Sequence, residues 1–98
     1  MIQEEQRVSV EAIQQWLISH LAGALNLPTS AIDIETPFDR YGVDSLIAVT
    51  MTGDLEEWLG VEIPVTLAWD YPNIALLAVY LAEVAGQGER ESGTQVDR

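Results

Sequence analysis

The chain has 98 residues, 48% of them hydrophobic, with no cysteine and one histidine; that suits a single small domain with a core and excludes disulfides and thiolate metal sites. Sixteen acids against four arginines and no lysine give a net charge of −12, which argues against binding nucleic acid through its phosphates and favours partners with basic surfaces. The longest apolar run, residues 74–82, falls far short of the roughly 20 residues of a membrane span, and MIQEEQR lacks the form of a secretory leader, so a cytoplasmic protein is expected.

Residues 1–7 are expected to be a flexible N-terminus, and 8–85 the folded domain. Residues 10–25, VEAIQQWLISHLAGAL, repeat Ile13, Trp16, Leu17, His20, Leu21, Ala24 and Leu25 at three- and four-residue spacing. That is the apolar stripe of a helix. Ser9 can cap its first free amides, and Asn26 and Pro28 end it. Residues 26–43 read as a long connection punctuated by Pro28 and Pro37, with a brief helical turn at Thr29–Ala31. Its Leu27, Ile32, Ile34 and Phe38 predict a loop pinned to the core.

Residues 45–59 read as a second helix, closed by Gly60. At 100° per residue, Ala48, Met51, Thr52, Leu55 and Leu59 share one side, with Trp58 at its margin. Leu46 falls opposite, with Val49, Thr50 and Gly53 near it and Ile47 on the boundary. An exposed apolar patch beside Ser45 is the expectation, and such a patch suits docking. The alternative is that the 26–43 connection covers it. Gly53 costs this helix roughly 1 kcal/mol relative to alanine, which suits close approach to its backbone.

The stretch VEIPVTLAWDYP, residues 61–72, is bounded by Pro64 and Pro72. It predicts a short helix around Thr66–Trp69, a brief strand being the other option. Asn73 then caps a last helix from Ile74 to about Ala85, with Ile74, Leu77, Ala78, Leu81 and Ala85 inward. Leu76, Val79 and Tyr80 lie off that stripe, so this helix is expected to be well covered. The tail, residues 86–98, holds too little apolar surface to order itself and is expected to be disordered. The fold class is all-α: a small four-helix bundle, three main helices plus one short one, with a long loop between the first and second.

Ser45 opens the second helix. Serine is a common N-cap, but Asp44 precedes it and can cap equally well. A group on that hydroxyl would meet the positive end of the helix dipole and outward amides, which favour an anion such as a phosphodiester. Gly42 lets the chain turn tightly and leaves room for another protein. A hydrolytic serine would need a base within hydrogen-bond reach, and the one histidine, His20, lies on the apolar side of the first helix. One histidine with scattered carboxylates provides no metal-ligand cluster, and no calcium-loop spacing is present.

Phe38, Gly42, Asp44, Ser45 and Leu46, an aromatic with a glycine four residues on and then Asp-Ser-Leu, resemble the attachment site of acyl carrier proteins and peptidyl carrier domains. Leu55 and the Trp-Leu-Gly at 58–60 resemble the end of that family's second helix. Pro64, Leu67, Asp70, Tyr71, Pro72, Ile74, Leu77 and Leu81 follow the pattern of its third and fourth. The resemblance covers about residues 8–85. It implies that a phosphopantetheinyl transferase moves 4′-phosphopantetheine from coenzyme A onto Ser45, with Asp44 helping to organise the transferase's magnesium.

The terminal thiol of that arm then carries acyl groups, which lets a cysteine-free chain do thiol chemistry while catalysing nothing itself. The resemblance further implies a monomer whose Leu46, Ile47 and Val49 meet partner enzymes. These partners load, condense or modify acyl groups in polyketide or fatty-acid biosynthesis, through basic or apolar docking surfaces. Ile47 and Thr50 stand where free-standing fatty-acid carriers often have acids, and YGVDSLIAV looks more like the carriers of modular polyketide or nonribosomal peptide systems. A carrier for amino acids is the close alternative. An unmodified helical interaction module, in which Ser45 only caps, is the alternative from another class. The chain ends soon after the domain, as a free-standing or an excised carrier would.

Overall fold

A computed structural model describes residues 9–96, with side chains described for residues 9–85. The expected flexible stretch, residues 1–7, lies outside the described residues, as do residues 97 and 98. The described residues are all-α, with no strand among them.

Helix α1 (Val10–Leu25) starts where Ser9 Oγ accepts the Ala12 amide at 3.0 Å. It ends at Asn26, whose left-handed backbone (φ 60°) reverses the chain, and the Leu27 N–H returns to the Ala22 carbonyl at 2.9 Å. That bond satisfies a carbonyl the helix end would otherwise leave free. Ile13, Leu17 and Leu21 are fully buried, as their spacing predicts. Ala24, assigned to the same stripe, is exposed, and Ala22 is buried instead. The chain folds back after Asn26 and the Thr29–Ala31 turn packs on α1, so this end is covered from a direction a straight helical wheel does not anticipate. The same reversal leaves Leu27 40% exposed rather than pinned.

The rest of the connection is held as predicted. Ile32 and Phe38 are buried and Ile34 packs against the core. Backbone bonds fasten the loop to the start of the last helix: Phe38 N–H donates to the Pro72 carbonyl at 2.8 Å, and Ala75 N–H to the Ile34 carbonyl at 2.9 Å. Burying a side chain the size of Phe38 contributes roughly 1.5–3 kcal/mol, so the loop is part of the core. A turn of 3-10 helix at Phe38–Tyr41 follows, closed by Gly42 at φ 81°. That conformation costs any residue with a Cβ.

Helix α2 (Ser45–Leu59) turns Ala48, Met51, Thr52 and Leu55 inward. The Thr52 hydroxyl, buried, donates to the Ala48 carbonyl at 2.9 Å and so introduces no orphan polar group. Gly60, at φ 72°, ends the helix. Glu56 Oε2 accepts the Ile63 amide at 2.8 Å and draws the next segment back over the core, where Ile63 is buried. Helix α3 (Leu67–Asp70) lies one residue later than predicted. It is a helix and not a strand, because Pro64 supplies the first carbonyl of the turn, accepting from Leu67.

Helix α4 (Ile74–Val96) is capped by Asn73, whose Oδ1 accepts the Leu76 amide at 2.8 Å. Ile74, Leu77, Ala78 and Leu81 are fully buried, and α1 is its main neighbour. Two expectations differ here. The helix continues past Ala85 to Val96: no proline interrupts residues 86–96, and glycine weakens a helix without stopping it. Nor is α4 covered over its girth, since Leu76 and Val79 are 50% and 53% exposed. With α1 packed along one side and α3 only a single turn long, a flank of α4 has no neighbour among the described residues.

Candidate functional site at the start of helix α2

Asp44 caps α2. Its backbone is extended (φ −97°, ψ −174°) and its Oδ1 accepts the Ile47 amide at 3.0 Å, while its carbonyl accepts the Ala48 amide at 2.9 Å. This is the N-cap arrangement. Ser45 is therefore the first residue inside the helix and has no capping duty. It is exposed, and its hydroxyl makes no hydrogen bond among the described residues. Asp44 and Gly42 are exposed beside it. A Cβ on Gly42 would meet nothing within 4 Å, so its left-handed φ, and not crowding, calls for glycine there.

The apolar patch beside Ser45 is uncovered: Leu46 is 73% and Val49 53% exposed. Ile47 is half-buried and packs against the core, so it offers only an edge to a partner. Gly53 is exposed on the helix and a Cβ there would meet nothing within 4 Å; no packing within the domain requires a glycine.

A second feature escaped the sequence reading. An open groove of about 190 Å³ lies between the turn before Ser45 and helix α3, lined by Pro37, Phe38, Asp39, Ala68, Trp69 and Pro72. Of these, Phe38 and Ala68 are buried and Trp69 is half-exposed. The signal available in the sequence was Trp69 alone, a large aromatic on a helix too short to have a periodic face.

His20 lies elsewhere. Its Nε2 stands 2.8 Å from Asp54 Oδ2, and its ring stacks on Trp16, which stacks on Trp58. It ties α1 to α2 as a boundary residue and forms no pair with Ser45. Among the described residues no three His, Cys, Asp or Glu side chains gather as a metal site. No described helix is long and apolar enough to cross a membrane.

The Ser45 hydroxyl is exposed at the positive end of a helix, where the dipole favours negative charge. Comparison with known proteins bears on which group brings such a charge. Residues 15–81 match the family model described as phosphopantetheine attachment site. The acyl carrier protein TtuC of Teredinibacter turnerae is 37% identical over 78 residues, which cover 80% of this chain and 90% of that protein. A component of the phenolphthiocerol/phthiocerol polyketide synthase of Mycobacterium tuberculosis is 31% identical over 71 residues; these cover 72% of this chain but 4% of that far longer protein.

Two solved structures are similar in fold. An acyl carrier protein from Anabaena, with a variant phosphopantetheinylation-site sequence, has a TM-score of 0.73 and 44% identity, over 79% of this chain and 88% of that one. A free-standing peptidyl carrier protein from Acinetobacter baumannii has a TM-score of 0.74 and 33% identity, over 76% and 94%.

Proposed function

The chain belongs to the phosphopantetheine-bearing carrier family, and from that premise we propose that Ser45 is the residue that bears the group. The protein is an acyl carrier of the polyketide type, and its family carries substrates without catalysing their conversion. One observation carries the assignment to Ser45: Asp44 takes the capping bond, which frees an exposed serine hydroxyl one position inside the helix. The carrier domain comprises residues 8–85, consistent with the reach of the family match.

The attached group, when present, supplies a thiol on a flexible arm that holds an acyl chain as a thioester. The chain's own residues do the rest. Ser45 Oγ forms the P–O bond as a pyrophosphate bond of coenzyme A breaks; adenosine bisphosphate leaves, and the serine proton passes to the transferase. Asp44 engages only Oδ1 in capping, so Oδ2 is available to the transferase's magnesium. The first-turn amides favour the phosphodiester by about 0.3–1 kcal/mol. Leu46 and Val49 dock partner enzymes by apolar contact, and the acidic surface draws in basic ones. The tether keeps the substrate at millimolar effective concentration beside each partner. A cytoplasmic location, where coenzyme A is available, fits this role.

A peptidyl carrier is the second reading, favoured by the likeness to the Acinetobacter structure; it differs only in what is loaded. The test is intact mass after incubation with coenzyme A, magnesium and a broad-specificity phosphopantetheinyl transferase. A gain of one phosphopantetheine in the wild type and none in Ser45→Ala is expected. No gain, or an equal gain in the variant, overturns the assignment.

A further inference from the structure

We infer that the exposed end of the aromatic stack on the α1–α2 seam, the Trp58 ring, is a second docking point, and that its occupant is an arginine side chain of a partner protein; its part in carrier traffic rests on the docking role given to Leu46 and Val49 above. The stack is built in order. His20 lies on Trp16 with ring centroids 4.8 Å apart, and Trp16 lies on Trp58 at 5.4 Å, with interplanar angles of 20° and 9°. The 2.8 Å bond between His20 and Asp54 fixes one end. Trp16 is half-buried between two rings. Trp58 has one ring neighbour and is 41% exposed. Its position is held before anything binds, which lowers the ordering cost of binding.

Charge names the occupant. A tryptophan face attracts a cation, and arginine more often than lysine. Asp54 one turn before Trp58, Glu57 beside it and Glu62 four residues after it are exposed carboxylates. An arginine fork pairs with a carboxylate while its plane lies on an aromatic ring. Among the side chains described, Arg40 is the one arginine, and it stands in the turn before the other end of α2. A chain of net charge −12 leaves this cation to a partner. Position separates the two docking points. Trp58 stands thirteen residues after Ser45, about 20 Å along α2. It follows Val49 by nine residues, about two and a half turns, which puts the two on opposite sides of the helix. A protein held at Trp58 leaves Ser45, Leu46 and Val49 open to a second one, so the carrier stays with one partner while others act on its load.

The test follows the tryptophan indole N–H resonances of the unloaded wild type, assigned with Trp58→Phe and Trp69→Phe, as N-acetyl-arginine amide is added at constant ionic strength. The Trp58 resonance should move progressively, while that of Trp69, of similar exposure but outside the stack, stays in place. The uncharged N-acetyl-glutamine amide should move Trp58 about two- to fivefold less at the same concentration, the scale of an exposed contact between a cation and a ring. A Trp58 resonance that stays still, moves no more than that of Trp69, or moves equally with both amides overturns the site. So does one that responds only in Arg7→Gln, because the chain's own N-terminal arginine then fills the end of the stack. The titration needs no load on Ser45. Its failure leaves the carrier assignment standing, and a failure of loading in the mass assay leaves the titration to be read on its own.

Discussion

The Asp44 carboxylate holds the Ile47 amide at 3.0 Å, and this one bond separates two duties that a single residue often combines. Asp44 keeps the helix start, and the exposed Ser45 hydroxyl is left without a capping bond. Ser45→Ala should therefore abolish loading while changing unfolding free energy by less than about 0.5 kcal/mol, as surface changes away from caps do. Urea denaturation beside the mass assay checks both.

Asp44 itself should split by substitution. Asp44→Asn keeps a good cap, so stability should hold while the transferase rate falls with the lost carboxylate. Asp44→Ala should lose about 1 kcal/mol in addition. Equal transferase rates for wild type and Asp44→Asn would remove the carboxylate from any role in loading.

Leu46 and Val49 are open to solvent, so Leu46→Asp should fold like the wild type. Its loaded form should bind or serve a partner enzyme at least tenfold less well, the scale of roughly 1.5–3 kcal/mol for one buried leucine side chain. Steady-state KM for the loaded carrier as substrate is the measurement, with circular dichroism as the control for folding.

The two glycines near the site should respond with opposite signs. Gly53→Ala meets no neighbour and should stabilise α2 by up to about 1 kcal/mol, while slowing any partner that presses on the backbone there. Gly42→Ala meets no neighbour either, but its φ of 81° makes it destabilising by roughly 1–2 kcal/mol. Thermal unfolding of the pair decides the signs.

His20→Ala should cost more than Asp54→Ala. Asp54 contributes one half-exposed hydrogen-bond partner to His20, worth about 0.5–1 kcal/mol. His20 also loses its stack on Trp16, a further 0.5–1.5 kcal/mol or so. Neither substitution should alter loading of Ser45, which the mass assay reads directly.

Much of the fold was legible along the chain. The caps Ser9 and Asn73, the stops at Asn26 and Gly60, and the inward stripe of α2 are local matters of hydrogen-bond chemistry and helical period, and each stands where the residues put it. The free serine was legible too, because two adjacent residues could cap and one alone was needed. The misses share a cause. Ala24 was placed inside by wheel position, Leu27 by its apolar character in the connection, and Leu76 and Val79 by the apolar girth of the last helix, yet burial depends on where neighbouring elements lie. The end of α4 was misplaced because composition measures how much apolar surface is available, and a backbone ladder can run on past it.

By itself, then, the order of residues determined the class of fold, the helix boundaries that caps and glycines control, and the serine left without a capping bond. Those are decided within a few residues of chain, by dihedral preferences and donors needing acceptors. Only the tertiary structure decided that Trp69 and Asp39 line one groove with Phe38. A groove is made by segments far apart in sequence, and its shape follows from how the loop is fastened to Pro72 and Ala75, which no periodicity records.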